Sequence, residues 1–244
     1  MRKLIIAILF LGFKSEAQII NASSPYRVTG TPYSTTIAYV SSIDGGNNSG
    51  VTSSWTYAFT VSSASDRLLV VGISGDVIGG ADDITSVTYN GVSMTFSNKT
   101  QDNGSGRFQY LYYLLNPATG TNNVVITAAT SHYLISGAAL YSGVQGVDNA
   151  GTNSTSSVGN TLTSSLTTNV NNCWTILFET SYNGNAAPVA GAGLVLRNFD
   201  AIFGVWGLFD SNGAITPAQS YNMTTTRTSN ANGIAHNMLS IKPY

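Results

Sequence analysis

Val87-Thr88-Tyr89-Asn90-Gly91-Val92-Ser93-Met94 is the stretch whose reading decides the fold. Asn-Gly is the favoured pair for a two-residue type I′ turn, because both central residues need positive φ. With those two as the loop, Tyr89 faces Val92, Thr88 faces Ser93 and Val87 faces Met94. Each pair matches in polarity, so turn chemistry and register point to the same hairpin.

Outward from this hairpin the chain reads as short strands. Trp55 to Val61 alternates large apolar with small or polar residues, the period of a strand with one buried face. Arg67 to Ile73 is apolar on both faces, as in a central strand. Phe108 to Leu115 ends at Asn116-Pro117, and Asn123 to Thr127 follows at hairpin distance. Ala138 to Tyr141 closes the first half. The polar stretch Gly146 to Asn160 then reads as a long surface loop. Leu162–Leu166, Trp174–Phe178, Gly193–Arg197, Phe203–Phe209, Tyr221–Thr228 and Gly233–Ile241 continue the pattern. Thr56 to Ile73 and Thr163 to Thr180 echo one another as a Thr-rich strand, a polar turn and an apolar strand. That echo is too faint to establish a duplication. Outside the N-terminus no segment sustains a 3.6-residue period, so the expected class is all-β, a two-sheet antiparallel β-sandwich of jelly-roll type.

Arg67-Leu68-Leu69-Val70-Val71, Ser86 to Gly91, Leu115 to Gly120 and Ala139 to Val144 together resemble a β-sandwich domain that recurs in uncharacterised bacterial surface and phage-associated proteins. In overall style they are similar to concanavalin A-like sandwiches. The resemblance spans about half the chain and rests on turns and strands. It implies a fold and brings no catalytic residue with it.

The leading residues suggest export. Met1-Arg2-Lys3 is basic, Leu4 to Phe13 is nearly continuous apolar chain, and Ser15-Glu16-Ala17 offers small residues at a cleavage position. Residues 1–17 are therefore expected to be a signal peptide, with Gln18 as the mature terminus. The apolar run falls short of the roughly 20 residues of a membrane span. Residues 18–50 are expected to hold edge strands and the loop Asp44-Gly45-Gly46-Asn47-Asn48, leading into one sandwich domain over 51–244. The single cysteine, Cys173, excludes an intrachain disulfide and reads as a buried thiol.

Of the 244 residues only 9% are charged, and the formal net charge is −1. Ser, Thr, Asn and Gly take their place. Such a surface offers no basic field for nucleic acid. It suits exported adhesins, coats and carbohydrate-binding modules.

The residues for covalent chemistry are sparse. The two histidines, His132 and His236, lie near no nucleophile elbow, and two histidines with one cysteine make no zinc cluster. Beyond the leader, Glu179 is the one glutamate, whereas sandwich glycosidases carry a Glu-x-Asp-x-Glu strand and glycoside hydrolysis needs paired carboxylates. No motif requires a cofactor. Asp76, Asp82 and Asp83 share one Gly-containing loop whose oxygens could take calcium; the competing reading is a solvated loop in which Asp favours turns. Tyr182, Asn183 and Asn185, with Trp206 and Asp210, pair flat rings with amide or carboxylate groups, which suits sugars. The competing reading puts Trp206 and Phe209 in the core. The expectation is a non-catalytic extracellular binding or adhesion domain for glycans, with a self-associating structural subunit of a coat, filament or virion surface as the alternative.

Overall fold

The computed structural model describes residues 35–47, 50–76, 82–102, 107–181, 186–201 and 205–244, with side chains except at 47, 76, 132, 154–159 and 228–232. The leader 1–17 and most of the stretch 18–50 up to residue 34 lie outside these. Among the described residues every regular element of more than a bridge is a β-strand: β1 Ala38–Asn47, β2 Thr52–Val61, β3 Leu68–Asp76, β4 Ile84–Tyr89, β5 Val92–Ser93, β6 Thr95–Gln101, β7 Phe108–Leu115, β8 Gly120–Ser142, β9 Gly146–Thr167, β10 Trp174–Ser181, β11 Val189–Ala190, β12 Val195–Asp200, β13 Val205–Asp210 and β14 Ser220–Lys242.

The hairpin forms as read. Tyr89 pairs with Val92 and Thr88 with Ser93, Asn90 and Gly91 have φ of 50° and 75°, and the Met94 amide donates to the Val87 carbonyl at 2.8 Å. A Cβ on Gly91 would meet nothing within 4 Å, so its constraint is purely a matter of backbone. Gly91→Val is expected to cost about 1–3 kcal/mol, read as a lowered midpoint in a thermal or urea melt.

All strand pairs are antiparallel, and they form two sheets, β1–β8 and β9–β14. The antiparallel sandwich is therefore present. Its connectivity does not reproduce the jelly roll, in which the chain passes repeatedly between sheets; here each sheet is one half of the chain. Each half is also bent over its own core. In the first, Phe59, Val87, Tyr89, Val124 and Ile126 from β2, β4 and the start of β8 pack on Leu69, Val71 and Ile73 of β3. Leu68 and Val70 point the other way, into a core shared with the second half. That is why Arg67–Ile73 is apolar on both faces.

The second half repeats the first in order and register. β3 lies between β7 and β8, as β10 lies between β13 and β14. β1 and β2 line successive parts of β8, as β9 lines β14. β4 pairs with the early part of β8, as β11 does with that of β14. β6 meets β7 with a bulge between Phe96 and Asn98, and β12 meets β13 with a bulge between Leu196 and Asn198. The halves face each other by reciprocal contacts, β1 against β12 and β6 against β9. This is an internal duplication with pseudo-twofold packing. The echo between Thr56 and Thr163 belongs to it: Thr56 is opposite Val125, and Thr163 is opposite Thr224 at the corresponding place.

At the shared core the two halves, lobe 1 (β1–β8) and lobe 2 (β9–β14), differ where they touch. Gly72 and Gly137 sit opposite each other in lobe 1, and the space above them holds the rings of Phe178 and Trp206, stacked with centroids 5.8 Å apart.

Two expectations need correction. Gly146 to Asn160 is no loop but part of β9, because the ladder with β14 is made by backbone N–H and C=O groups, which Gly, Asn, Ser and Thr supply as well as apolar residues do. Asp44 to Asn47 likewise belongs to the end of β1, at a bulge where Gly46 takes φ of 73° and its amide donates to Asp44 Oδ1 at 2.7 Å. Residues 120–142 and 220–242 are single long strands, each predicted as two pieces.

Candidate binding faces and a buried polar core

The alternation that buries one face of each outer layer dictates the chemistry of the other. On β9 and β14, Leu162, Ser164 and Leu166 with Met223 and Thr225 point inward. The outward cross-strand pairs are Thr161/Thr226, Thr163/Thr224, Ser165/Asn222 and Thr167/Ser220. Hydroxyls bridge them, Thr163 to Thr224 at 2.8 Å and Thr161 to Thr226 at 3.1 Å, while Ser165 donates to the Asn222 amide oxygen. The corresponding pairs of lobe 1 are Ser54/Thr127, Thr56/Val125, Ala58/Asn123 and Thr60/Thr121, the last bridged at 2.7 Å. Neither set contains a charge. Pairs on one strand recur about 6.5 Å apart and the strands lie about 4.8 Å apart. Each lobe thus presents a neutral grid of hydroxyl and amide groups. The run Thr161-Leu162-Thr163-Ser164-Ser165-Leu166-Thr167 carried this alternation in plain view, but only a partner strand shows which residues stand opposite.

A second polar group lies inside lobe 2. Glu179 and Arg227 are buried, and Arg227 Nε donates to Glu179 Oε1 at 2.7 Å. Arg227 Nη2 also donates to the Val205 carbonyl at 3.3 Å. Desolvation pulls the guanidinium pKa down, and the Glu179 carboxylate opposes it. Beside the pair, His236 is fully buried with Nδ1 2.7 Å from Ser164 Oγ and Nε2 2.8 Å from Thr225 Oγ1. Burial, reinforced by the Arg227 charge, drops its pKa to about 3. Ser164 and His236 have the separation of a nucleophile and base. The far nitrogen faces the Thr225 hydroxyl where a triad would place a carboxylate, and burial favours the neutral ring. The ring is held as a neutral hydrogen-bonding bridge. In lobe 1 the same places hold Ile73, Ala128, Ser136 and Tyr57, and Tyr57 bonds Ser136 at 2.9 Å.

His236 makes stability depend on acid. Its pKa is about 3 in the fold and near 6.5 unfolded, so the unfolded chain takes up the extra proton between those values. The stabilisation is complete above about pH 6.5 and falls by about 1.4 kcal/mol per pH unit as pH drops toward 3. Urea melts at pH 7, 5 and 4 are expected to show a steeper decline for the wild type than for His236→Asn.

The residues singled out from sequence are dispersed. Tyr182, Asn183 and Asn185 lie outside the described residues. Trp206 and Asp210 are both fully buried. Trp206 fills the space over Gly137, and Asp210 accepts from Arg197 at 2.7 and 2.9 Å and from the Tyr141 hydroxyl at 3.1 Å. The Arg197 guanidinium also lies 4.2 Å from the Tyr39 ring centre, so Asp210 ties the two lobes together. Neither residue forms the expected surface platform, and Phe209 is core as well. Asp82 is ion-paired with Lys99 and accepts from Tyr110 at 3.0 Å, while Asp83 accepts from the Thr130 amide and hydroxyl. The Asp76 side chain is outside the described set. Among the described residues no three His, Cys, Asp or Glu side chains gather as a metal cage. Cys173 is buried, and desolvation raises its thiol pKa to about 11. Among the described residues no helix is long and apolar enough to cross a membrane.

No family model, no curated protein and no solved structure matches the chain.

Proposed function

We propose that the protein is an exported, non-catalytic binding or adhesion domain whose ligands are glycans. The supporting observation is the pair of outer faces, neutral and tiled with hydroxyl and amide groups, one on each lobe of a duplicated scaffold. Such faces exchange water for sugar hydroxyls at little net gain, so each site binds weakly. Display in several copies supplies the avidity. A glycan array probed with monomeric and clustered protein is the test, and binding by the clustered form alone is the expected result. Release of reducing sugar that disappears in Glu179→Gln would overturn the non-catalytic reading.

The alternative is a structural subunit of a coat, filament or virion surface. It is favoured by β9, an edge strand of 22 residues with one charge, Asp148, and so a template for strand addition. Two features oppose it: the Asn149 and Asn153 amides already donate to the Thr167 and Thr163 carbonyls of the same strand, at 2.8 and 3.2 Å. Silence on the array with spontaneous polymerisation would favour the subunit.

A further inference from the structure

Comparison of the two lobes singles out one place where their outer faces differ in shape. In lobe 1 the β4–β5 hairpin stands beside β8 and makes a groove of about 400 Å³ lined by Thr88, Asn90, Thr121, Asn122, Asn123 and Val125. The Asn90 amide donates to the Asn123 carbonyl at 3.0 Å, which fixes the turn against the strand. Asn122 is engaged with Thr119 and Tyr89, and Thr121 with Thr60. The side chains of Thr88, Asn90 and Asn123 have no hydrogen-bond partner among the described residues. In lobe 2 the chain turns instead through Gly191-Ala192-Gly193, where the Gly191 amide donates to the Thr224 carbonyl at 2.8 Å, and the position of Asn123 is Asn222, whose amide oxygen is taken by Ser165. The same scaffold thus carries three uncommitted polar side chains in one lobe and none of the three in the other.

We infer that this groove is a binding site for one ring of a neutral saccharide, an inference that rests on the glycan reading above. Asn90 and Asn123 each offer a carbonyl and an NH₂, which together match the mixed donor and acceptor character of neighbouring sugar hydroxyls. Thr88 adds a hydroxyl, and Val125 gives an apolar patch for the C–H face of a ring. The lining is uncharged, so it complements a neutral ligand and offers no countercharge to a phosphate, a sulfate or an acidic sugar. The turn, bonded through the Asn90 backbone N–H to the Asn123 carbonyl, fixes the backbone from which the Asn90 side chain projects.

The test uses the full-length protein, clustered, on immobilised neutral oligosaccharides of hexose, N-acetylhexosamine and deoxyhexose, with sialylated and sulfated glycans beside them. Wild type is expected to bind the neutral set. Thr88→Val with Asn123→Asp should weaken that binding by about tenfold or more, since each lost hydrogen bond counts again in every copy. Asn90→Gly, which keeps the turn, should weaken it too, and Phe199→Ser on β12 should leave it unchanged. Melts of each variant confirm that the fold is retained. Wild-type binding that survives all the groove variants would overturn the site and leave the glycan reading standing. Binding confined to the acidic glycans would overturn the neutral-ring assignment, and silence of the wild type would overturn both.

Discussion

Alanine at Gly137 is expected to destabilise the protein by about 3 kcal/mol, the upper end of ordinary overpacking costs. A Cβ there would lie 2.1 Å from the Trp206 ring, and the next two ring atoms are at 2.5 and 2.7 Å. The indole cannot simply retreat, because it stacks on Phe178, which is seated in turn over Gly72 with ring atoms 2.1 Å from that residue's would-be Cβ. Both lobes must therefore separate or the rings must leave their rotamers. Chemical melts supply the measurement, with Gly146→Ala as a control, since a Cβ at Gly146 meets only the Lys242 side chain at 3.7 Å. A second arm checks the cause. In a Trp206→Leu background the same alanine should cost much less, as contacting residues couple in a double-mutant cycle. An additive cycle would mean that the two lobes are not held by this contact.

Removing one member of the buried ion pair should have a larger effect. Arg227→Met leaves the Glu179 carboxylate in the core of lobe 2 without its cation, a change that costs about 3–5 kcal/mol. Replacing both, as Glu179→Leu with Arg227→Met, should recover most of that loss, because a buried pair contributes little against apolar groups of similar volume. Lobe 1 shows that the scaffold accepts such a core: Ile73 and Ala128 occupy the corresponding places. Urea unfolding of the wild type, the single variant and the double variant decides the matter. A double variant as unstable as the single one would show that the charges themselves are needed, which points beyond stability to use of the pair by the lobe.

The sequence by itself determined the local structure. Asn90-Gly91 fixed a turn because few other residues tolerate two positive φ angles in succession, and the polarity of Tyr89/Val92 and Thr88/Ser93 fixed its register. The two-sided apolar run at Leu68–Ile73 marked a strand between two cores, and the structure supplies both. Everything that depends on residues far apart in the chain was decided by tertiary structure. The duplication left only a faint trace in sequence, because strand pairing depends on backbone and burial, which Thr, Ser and Val satisfy alike in an edge ladder. For the same reason Gly146 to Asn160 had the composition of a loop and became a strand once β14 lay beside it. Trp206 and Asp210 have the chemistry of a sugar platform, yet the glycines that admit the ring and the arginine that meets the carboxylate lie elsewhere in the sequence. Arg227 carried no sign of its partner 48 residues away. The groove beside the hairpin was half legible: its turn was written in two adjacent residues, while the strand that completes it had to be brought there by the fold.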